Sequence, residues 1–337
     1  MRRMNFLDAV DDALGQAMAQ DPSIIVMGED LPLLRRGLLT RFGPERVLGT
    51  PISESAFIGA AVTAAMAGLR PVVELMIVDF LAVAMDALVN QAAKVRTFSG
   101  GNWSAPLVLR ATTGGGLGDG GQHEQSWWGW LAHIPGIQVV VPSTPAEAGG
   151  LLLSALKSDD PTVYLVHKFF DWQWLDFQGI GGRDTVHFKI PKEIESSPVP
   201  ENWNPIPIGT AQLRRRGTDL SIVTLGMDVY RSLQAADVLQ REGISAEVLD
   251  LRSVSPLDQT KIIECASRTG RVLVVDEDYS AFGLSGEIAA LLLETGLKVE
   301  FSRVATQETI PFNIDQAQAS LPNTKRIINA ARSFFKN

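Results

Sequence analysis

Hydrophobic positions along the chain follow two patterns, and together they predict alternating helices and strands. Apolar residues at helical spacing predict an amphipathic helix from Phe6 to Met18, with Asn5 as its cap. Short runs of Val, Ile and Leu predict strands at Ile24–Met27, Val72–Met76, Leu107–Ala111, Ile137–Val141 and Val163–Val166. Helical spacing returns in segments that begin at Glu54 and that run from Phe80 to Phe98 and from Pro145 to Lys157. This alternation is typical of an α/β fold with a parallel sheet.

A second α/β segment follows a stretch in which periodicity disappears. Glycines and prolines accumulate between Phe177 and Pro207, which predicts an interdomain linker. After it, strands are predicted at Leu220–Leu225, Ala246–Leu249, Val272–Val275 and Lys298–Val304, and helices at Val229–Arg241, Asp258–Ser267 and Ser285–Leu293. We therefore expect one domain over residues 1–178, a linker over 179–207 and a smaller α/β domain over 208–337.

The stretch from Thr50 to Arg96 combines an acid with an uncharged helix. Glu54 precedes fifteen small or apolar positions, Ser55 to Leu69, a span too short to cross a bilayer. Ala60, Ala64 and Gly68 would share one face of this helix and allow another backbone to come close. One interpretation is a buried packing helix. The other is an intersubunit helix that begins with a carboxyl group, which needs a partner because an unpaired buried acid is costly.

Composition and charge exclude several classes of function. The 337 residues are 45% hydrophobic and carry a formal net charge of -8, which argues against nucleic-acid binding because that relies on basic surface. Cys265 is the only cysteine, so an internal disulfide and a cysteine-rich metal site are excluded. The N-terminal segment lacks the apolar run of a signal peptide, and no membrane segment is evident. We expect a cytoplasmic protein.

The glycine-rich loop from Gly114 to Gly121 resembles phosphate-binding loops without matching any of them. It ends in Gly-Gly-Gln-His where a Walker loop requires Gly-Lys-Ser/Thr. It fits the dinucleotide fingerprint only loosely and lies too far into the chain. Gly118-Asp119-Gly120 resembles the start of the diphosphate-magnesium motif of thiamine enzymes, but the next asparagine after Asp119 is Asn202. We therefore predict that this chain does not itself hold the magnesium ion.

His123 follows this loop and has two interpretations. It is either a structural or surface residue, or a site residue at the carboxyl side of a strand, where α/β ligand sites collect. The four histidines lack metal-ligand spacing, and no G-x-S-x-G elbow supports a hydrolase. Phe80 has core packing as its simplest role. Trp127, Trp128 and Trp130 are predicted to be core or interface anchors.

Many motifs in the right order resemble the beta subunit of the thiamine-dependent decarboxylating component of 2-oxo acid dehydrogenase complexes, which include pyruvate, branched-chain and acetoin enzymes. The resemblance covers nearly the whole chain, and the linker is least alike. The motifs are MGED (27–30), FGPERV (42–47), TPISE (50–54), AAMAGLRPVVE (64–74), NQAAK (90–94), SGGN (99–102), GGQHEQS (120–126), AHIPG (132–136), VVPSTPAEA (140–148), DDP (159–161), DLRSVSPLD (250–258) and IPFN (310–313).

The resemblance implies a transketolase-like fold: a pyrimidine-binding domain with a parallel sheet, then a smaller transketolase-type C-terminal domain. It implies thiamine diphosphate as the cofactor, with its diphosphate and Mg²⁺ held by an alpha subunit in a tetramer of two alpha and two beta chains. By position, Glu54 resembles the acid that hydrogen-bonds N1′ of the cofactor's aminopyrimidine. Phe80 resembles the aromatic residue that packs on this ring, and His123 resembles the histidine near substrate and lipoyl group.

The resemblance also implies a monovalent-cation site for K⁺, formed by backbone carbonyls near Ala155 and Leu156 together with Ser158 and Asp160. One departure is Glu124, where the family commonly has a small residue; pointing inward, it would raise the pKa of the neighbouring histidine. The implied reaction is oxidative decarboxylation of a small 2-oxo acid, with acyl transfer to the lipoyl groups of an acyltransferase core. Alternatives are an acetoin-cleaving beta subunit, a single-chain thiamine enzyme and a non-catalytic assembly subunit.

Overall fold

The chain is described by a computed structural model over residues 2–171 and 191–336. Its contacts divide it into two compact units. The first comprises Met1–Thr113 and Leu131–Ile208, and the second comprises Gly114–Trp130 and Gly209–Asn337. The loop expected in the first domain therefore groups with the second unit. Part of the predicted linker, residues 179–190, lies outside the described residues, whereas residues 191–207 group with the first unit.

The elements up to Ile208 follow the predicted alternation. The strands are β1 (Arg2–Met4), β2 (Ile24–Glu29), β3 (Val47–Thr50), β4 (Arg70–Ile77), β5 (Val108–Thr113), β6 (Gln138–Val140), β7 (Thr162–His167) and β8 (Ser197–Val199). The α-helices are α1 (Phe6–Gln20), α2 (Leu31–Leu34), α3 (Arg36–Phe42), α4 (Glu54–Met66), α5 (Val95–Phe98), α6 (Trp128–Ala132), α7 (Pro145–Lys157) and α8 (Lys192–Glu195). Residues Val78–Ala84 and Lys168–Phe170 form 3-10 helices, and Asp86–Ala92 form a π-helix.

Six strands of the first unit pair in parallel, in the order β6-β7-β5-β4-β2-β3. Every residue of β5 and β7 is buried, as expected for central strands of a parallel sheet, although β5 includes Arg110 and two threonines. Strands β1 and β8 form a separate antiparallel pair. Because the six strands are parallel, their carboxyl ends meet at one edge, and the residues that follow β2 and β3 are brought together there.

The helix predicted from Phe80 to Phe98 is wrong as a single element. The segment instead contains a 3-10 helix, a π-helix and the short α5. Within the π-helix, the carboxylate of Asp86 accepts hydrogen bonds from the side chains of Asn90, at 2.7 Å, and Gln91, at 3.2 Å. One acid thus binds residues four and five positions ahead, which accompanies the wider π turn.

A buried charge cluster lies within the first unit and comprises Asp11, Arg35, Glu74, Arg110 and Asp171. Arg35 Nη2 donates to Glu74 Oε2 at 3.2 Å, and Arg110 also donates to this oxygen. Arg35 Nε lies 3.5 Å from Asp11, and Arg110 Nη2 lies 3.6 Å from Asp171. Burial raises the pKa of Asp11 to about 6, although both arginines oppose this. Burial also disfavours the ionised form of Glu74, but Arg110 and Arg35 outweigh it and lower the pKa of Glu74.

The second unit is built on a five-stranded sheet. Its strands, in the order β14-β13-β10-β11-β9, are parallel except for the edge strand β9. The five strands are β9 (Gln212–Arg215), β10 (Leu220–Thr224), β11 (Ala246–Asp250), β13 (Arg271–Tyr279) and β14 (Glu300–Thr306), and a further short strand, β12 (Ser253–Ser255), is not part of this sheet. The helices are α9 (Asp228–Arg241), α10 (Gln259–Thr269), α11 (Leu284–Glu294), α12 (Ile314–Ser320) and α13 (Thr324–Ser333). The predicted α/β character of this segment is confirmed.

The described helices give no candidate for a membrane span, because none is both long and apolar enough to cross a bilayer.

Candidate active site

Glu54 is the first residue of α4 and lies near the carboxyl edge of the first sheet. Strand β3 ends at Thr50, and the helix begins at Glu54 after three intervening residues, so this acid lies in the first turn, where the helix dipole favours a negative charge. The Glu54 side chain is half-buried. Among the described residues, no group hydrogen-bonds or ion-pairs with its carboxylate. The Thr50 hydroxyl is buried and likewise has no hydrogen-bond partner there.

A second acid at this edge, Glu29, was not singled out as a site residue from the sequence. It is the last residue of β2 and is half-buried. Burial raises the pKa of Glu29, and the carboxylates of Asp30 and Glu54 raise it further. Three acids therefore share this edge, and Glu29 holds a proton more readily than an isolated glutamate does. The MGED motif carried the only signal for it.

Phe80 lies in the 3-10 helix that follows β4, in the same unit as Glu54. The Ser55 hydroxyl donates to the backbone oxygen of Val83 at 2.5 Å, so this 3-10 helix is held against the first turn of α4. The Phe80 side chain is half-buried, as Glu54 is. An aromatic side chain and a carboxylate without a described partner are thereby carried on two adjoining elements.

Helix α4 has one buried face and another face that the described residues leave exposed. Phe57, Ile58 and Ala61 are buried, whereas Ala60 and Thr63 are exposed. The prediction of a packing helix is thus confirmed for one face only. The small residues expected to let another backbone approach lie partly on the exposed face.

His123 belongs to the second unit, at the end of the glycine loop. Its backbone N–H donates to the carbonyl of Gly120 at 3.0 Å, and its side chain is half-exposed. The loop packs tightly on residues near the IPFN motif. A Cβ at Gly118 would lie 3.1 Å from the carbonyl oxygen of Phe312, and one at Gly120 would lie 2.9 Å from its ring. At both positions φ is positive, so these glycines serve the turn and the close approach.

Glu124 turns its side chain into the glycine loop. It is fully buried, and its carboxylate accepts backbone N–H groups from Gly116 at 3.2 Å, Leu117 at 2.7 Å and Asp119 at 3.1 Å. Sequence reasoning considered this acid only as a neighbour that could perturb His123. The loop that resembled a phosphate site therefore directs these N–H groups at a carboxylate of the same chain.

Strand β13 supplies three further acids that anchor this loop within the second unit. Glu277 accepts the backbone N–H of Gly115 at 2.6 Å, and Asp278 accepts that of Gly129 at 2.9 Å. The indole N–H of Trp128 donates to Asp276 at 2.9 Å. Burial raises the pKa of Asp276 to about 6 and that of Asp278 to about 8. Sequence reasoning missed these acids because they lie about 150 residues from the loop.

The three loop tryptophans do not share one environment. Trp128 is 2% exposed, which confirms it as a core anchor. Trp127 and Trp130 pack edge to face with ring centroids 4.9 Å apart, and Trp130 is 45% exposed. The predicted anchoring role is therefore established for Trp128.

The predicted monovalent-cation site already holds a positive charge from the protein. Arg70 Nη1 donates to the carbonyl oxygens of Leu156 and Ser158, each at 2.9 Å. Arg96 Nε lies 3.2 Å from the Asp160 carboxylate, and the Ala155 carbonyl accepts the N–H of Ser158. A guanidinium group thus uses two of the carbonyl oxygens in the segment predicted to bind K⁺. K⁺ binding stays a prediction. In residues 2–171 and 191–336, no cluster of three or more His, Cys, Asp or Glu is arranged to hold a metal ion.

Comparison with known proteins gives a family match for each of the two domains of the chain. Residues 2–169 match the family "Transketolase, pyrimidine binding domain", and residues 209–327 match "Transketolase, C-terminal domain". The chain is 37% identical to the pyruvate dehydrogenase E1 component subunit beta of Bacillus subtilis, over the full length of both. The chain belongs to this family of dehydrogenase beta subunits. Its membership confirms the resemblance drawn from the motifs.

Other members of the family differ in the substrate that their names carry. The chain is 37% identical to the acetoin:2,6-dichlorophenolindophenol oxidoreductase subunit beta of Cupriavidus necator, over 99% of this chain and 98% of that protein. It is 38% identical to the 2-oxoisovalerate dehydrogenase subunit beta of Bacillus subtilis, over 87% and 85% of the two chains. Identity at this level does not separate the three substrates.

A solved structure agrees with the fold of this beta-subunit family member. The split-gene transketolase described as an inactive beta4 tetramer has a TM-score of 0.76 and 21% identity, over 98% of this chain and 97% of that one. The expected fold class, a transketolase-like pyrimidine-binding domain followed by a transketolase-type C-terminal domain, is confirmed.

Proposed function

We propose that the chain is the beta subunit of a thiamine-diphosphate-dependent 2-oxo acid dehydrogenase. It acts with an alpha subunit in a tetramer of two alpha and two beta chains in the cytoplasm. The complex decarboxylates a small 2-oxo acid and transfers the acyl group to lipoyl groups of an acyltransferase core. The observation that carries the proposal is Glu54, a carboxylate without a described partner at the carboxyl edge of the sheet, in a chain related over its full length to such subunits.

The residues at this edge fit the aminopyrimidine of thiamine diphosphate. Its ring nitrogen and exocyclic amine require a carboxyl group that can share a proton, and Glu54 offers one, with the half-buried Glu29 beside it. The Phe80 ring offers an apolar surface on the adjoining 3-10 helix. When bound, the cofactor supplies the electron sink that decarboxylation of a 2-oxo acid needs. Glu54 holds the proton at N1′, and Phe80 orients the ring and excludes water from one side.

The contacts of the glycine loop support the proposal that another subunit binds the diphosphate and Mg²⁺. Three of its backbone N–H groups already bind Glu124, and Gly118 and Gly120 lie against Phe312. A phosphate would have to displace a buried carboxylate of the same chain. We therefore assign the diphosphate and its metal to the alpha subunit. We assign to His123, which is half-exposed beyond the loop, the role of proton donor or orienter of the substrate.

The first experiment combines the chain with an alpha subunit that carries the diphosphate-magnesium motif and measures thiamine-dependent release of CO₂ from pyruvate and from 2-oxoisovalerate. We expect a Glu54→Ala variant to lose about 10²–10⁴-fold in kcat. Glu45→Gln, at an exposed glutamate in the same unit, serves as the control and should keep wild-type activity. Full activity of the Glu54→Ala complex would show that this acid has no catalytic role.

The second experiment separates the alternatives by the state of the chain. Calorimetry should detect no binding of thiamine diphosphate with Mg²⁺ to the beta chain alone, and native mass measurement should give an α₂β₂ particle with the alpha chain. Binding to the isolated chain would instead favour a single-chain thiamine enzyme. A complex that turns over normally with both Glu54 and His123 replaced would favour a non-catalytic assembly subunit.

Acetoin cleavage is the second candidate function, because an acetoin oxidoreductase beta subunit covers the chain as completely as a pyruvate dehydrogenase subunit does. The same complex, offered acetoin with an artificial electron acceptor, distinguishes the two. Turnover of acetoin without CO₂ release from either 2-oxo acid would assign the chain to the acetoin-cleaving class.

A further inference from the structure

The glycine loop converges three backbone donors on one side chain. Glu124 Oε1 accepts the N–H groups of Leu117 at 2.7 Å and Asp119 at 3.1 Å, and Oε2 accepts that of Gly116 at 3.2 Å. Successive N–H groups that point into a concavity form the nest that phosphate-binding loops present to an anion. Hydrogen bonds from N–H groups to a carboxylate are stronger than those between neutral groups. The carboxylate thus lies where such a loop would hold a phosphate.

We propose that Glu124 is a positioning residue, an internal anion that orders the glycine loop and thereby fixes His123. This rests on the proposed function, since it takes the role of His123 from there. A loop with this many glycines has high conformational entropy and needs a partner to hold a single shape. Glu124 meets that need from the position next to His123. The backbone N–H of His123 itself donates to the carbonyl of Gly120. The histidine is thus connected to the loop by this hydrogen bond and by its neighbour Glu124.

The remaining anchors of the loop do not involve the Glu124 carboxylate, so Glu124 can be tested without unfolding the unit. Gly115 is held by Glu277 at the beginning of the loop, and Trp128 is held by Asp276 after its end. Gln318 Nε2 donates to the carbonyl of Gly116 at 3.2 Å. Loss of the Glu124 carboxylate should therefore loosen residues 116–119 while the sheet of the second unit stays folded.

Amide hydrogen exchange of the full-length chain tests this ordering directly. In Glu124→Gln, which keeps the shape but removes the charge, we expect the amides of Gly116, Leu117 and Asp119 to exchange about 10–100-fold faster. Amides of strands β10 and β13 should be unchanged. Glu287→Gln, at an exposed glutamate of the same unit, is the matched control and should change neither set. Unchanged exchange of the three loop amides in Glu124→Gln would overturn the proposal.

Chemical rescue distinguishes positioning from general structural support. In the complex with the alpha subunit, Glu124→Ala should reduce kcat about tenfold or more and leave the KM for thiamine diphosphate unchanged. Formate, a carboxylate small enough to enter the space left by the side chain, should restore kcat, and chloride at equal ionic strength should not. A loss of kcat that formate does not restore, with faster exchange throughout the second unit, would show a merely structural role. An inactive wild-type complex would refute the proposed function but leave the exchange result to decide this inference.

Discussion

Replacing Glu74 with glutamine tests how the first unit stabilises its buried charge cluster. Arg35 and Arg110 both donate to this carboxylate, and each side chain is only 3% exposed. Glutamine keeps the shape but leaves two guanidinium groups with one anion fewer. Breaking a buried pair costs about 3–5 kcal/mol because the remaining charge stays buried.

The remaining anions place the expected cost at the lower end of this range. Asp11 lies 3.5 Å from Arg35, and Asp171 lies 3.6 Å from Arg110. The negative charge of Glu74 is one of the causes that raise the pKa of Asp11, so its removal lets Asp11 ionise more readily. We therefore expect Glu74→Gln to lower the free energy of unfolding by about 3 kcal/mol at pH 7.

The stabilisation by ionised Glu74 should increase with pH. Because the folded-state pKa of Glu74 is lowered from 4.5, its ionisation stabilises the fold above that value. This stability is lost as the pH falls through the folded-state pKa. The difference between wild type and Glu74→Gln should thus be full near neutral pH and shrink below about pH 4.

Urea unfolding followed by circular dichroism at pH 7 and about pH 3 measures this difference, with Glu45→Gln as the exposed control. A double-mutant cycle with Arg110→Met isolates the pair, and the double variant should be more stable than the sum of the single effects predicts. A cost below about 1 kcal/mol at pH 7, or additive single effects within about 0.5 kcal/mol, would refute the reasoning.

Three further predictions follow from the site. The free energy of unfolding of Asp278→Asn, relative to that of the wild type, should rise between pH 5 and pH 9 by at least about 1.4 kcal/mol, the value of one pKa unit. Burial raises the folded-state pKa of Asp278 from 3.8 to about 8, so this residue makes the wild type lose stability as the pH rises through that window. Thermal unfolding at both pH values shows whether the loss becomes smaller in the variant. Gly120→Ala should destabilise more than Gly243→Ala in chemical unfolding, because both have positive φ but only Gly120 lies against Phe312; equal costs would mean that the contact is unimportant. Arg70→Gln should make thermal stability depend on K⁺ over Na⁺, because it releases the two backbone carbonyls that the guanidinium binds; identical melting in both salts would argue against a cation site.

Elements with strong local signals could be predicted from the sequence. Helix α7 has the predicted bounds, because Thr144 caps it with Pro145 at its first position. Glu54 was also placed correctly at the start of its helix. The segment after Phe80 was not, because apolar periodicity alone does not distinguish an α-helix from adjoining 3-10 and π turns.

The electrostatics of the candidate site could not be predicted in the same way. Glu29 acquires its raised pKa from burial and from neighbours on other elements. The contact between Trp128 and Asp276 joins residues 148 positions apart, and no local pattern specifies such a pair. Glu124 could be noticed as unusual, but which way it points depends on the turns of the folded loop.

The second unit is formed by two separate segments of the chain, which are synthesised at different times. Residues 114–130 leave the ribosome about 80 residues before Gly209, where the rest of that unit begins. At ordinary translation rates this interval lasts roughly 4 to 16 seconds. During it Trp127, Trp128 and Trp130 are attached to a nascent chain whose anchoring acids in β13 do not yet exist. The nascent chain therefore carries an aromatic segment whose acid partners are synthesised only in the last third of the protein.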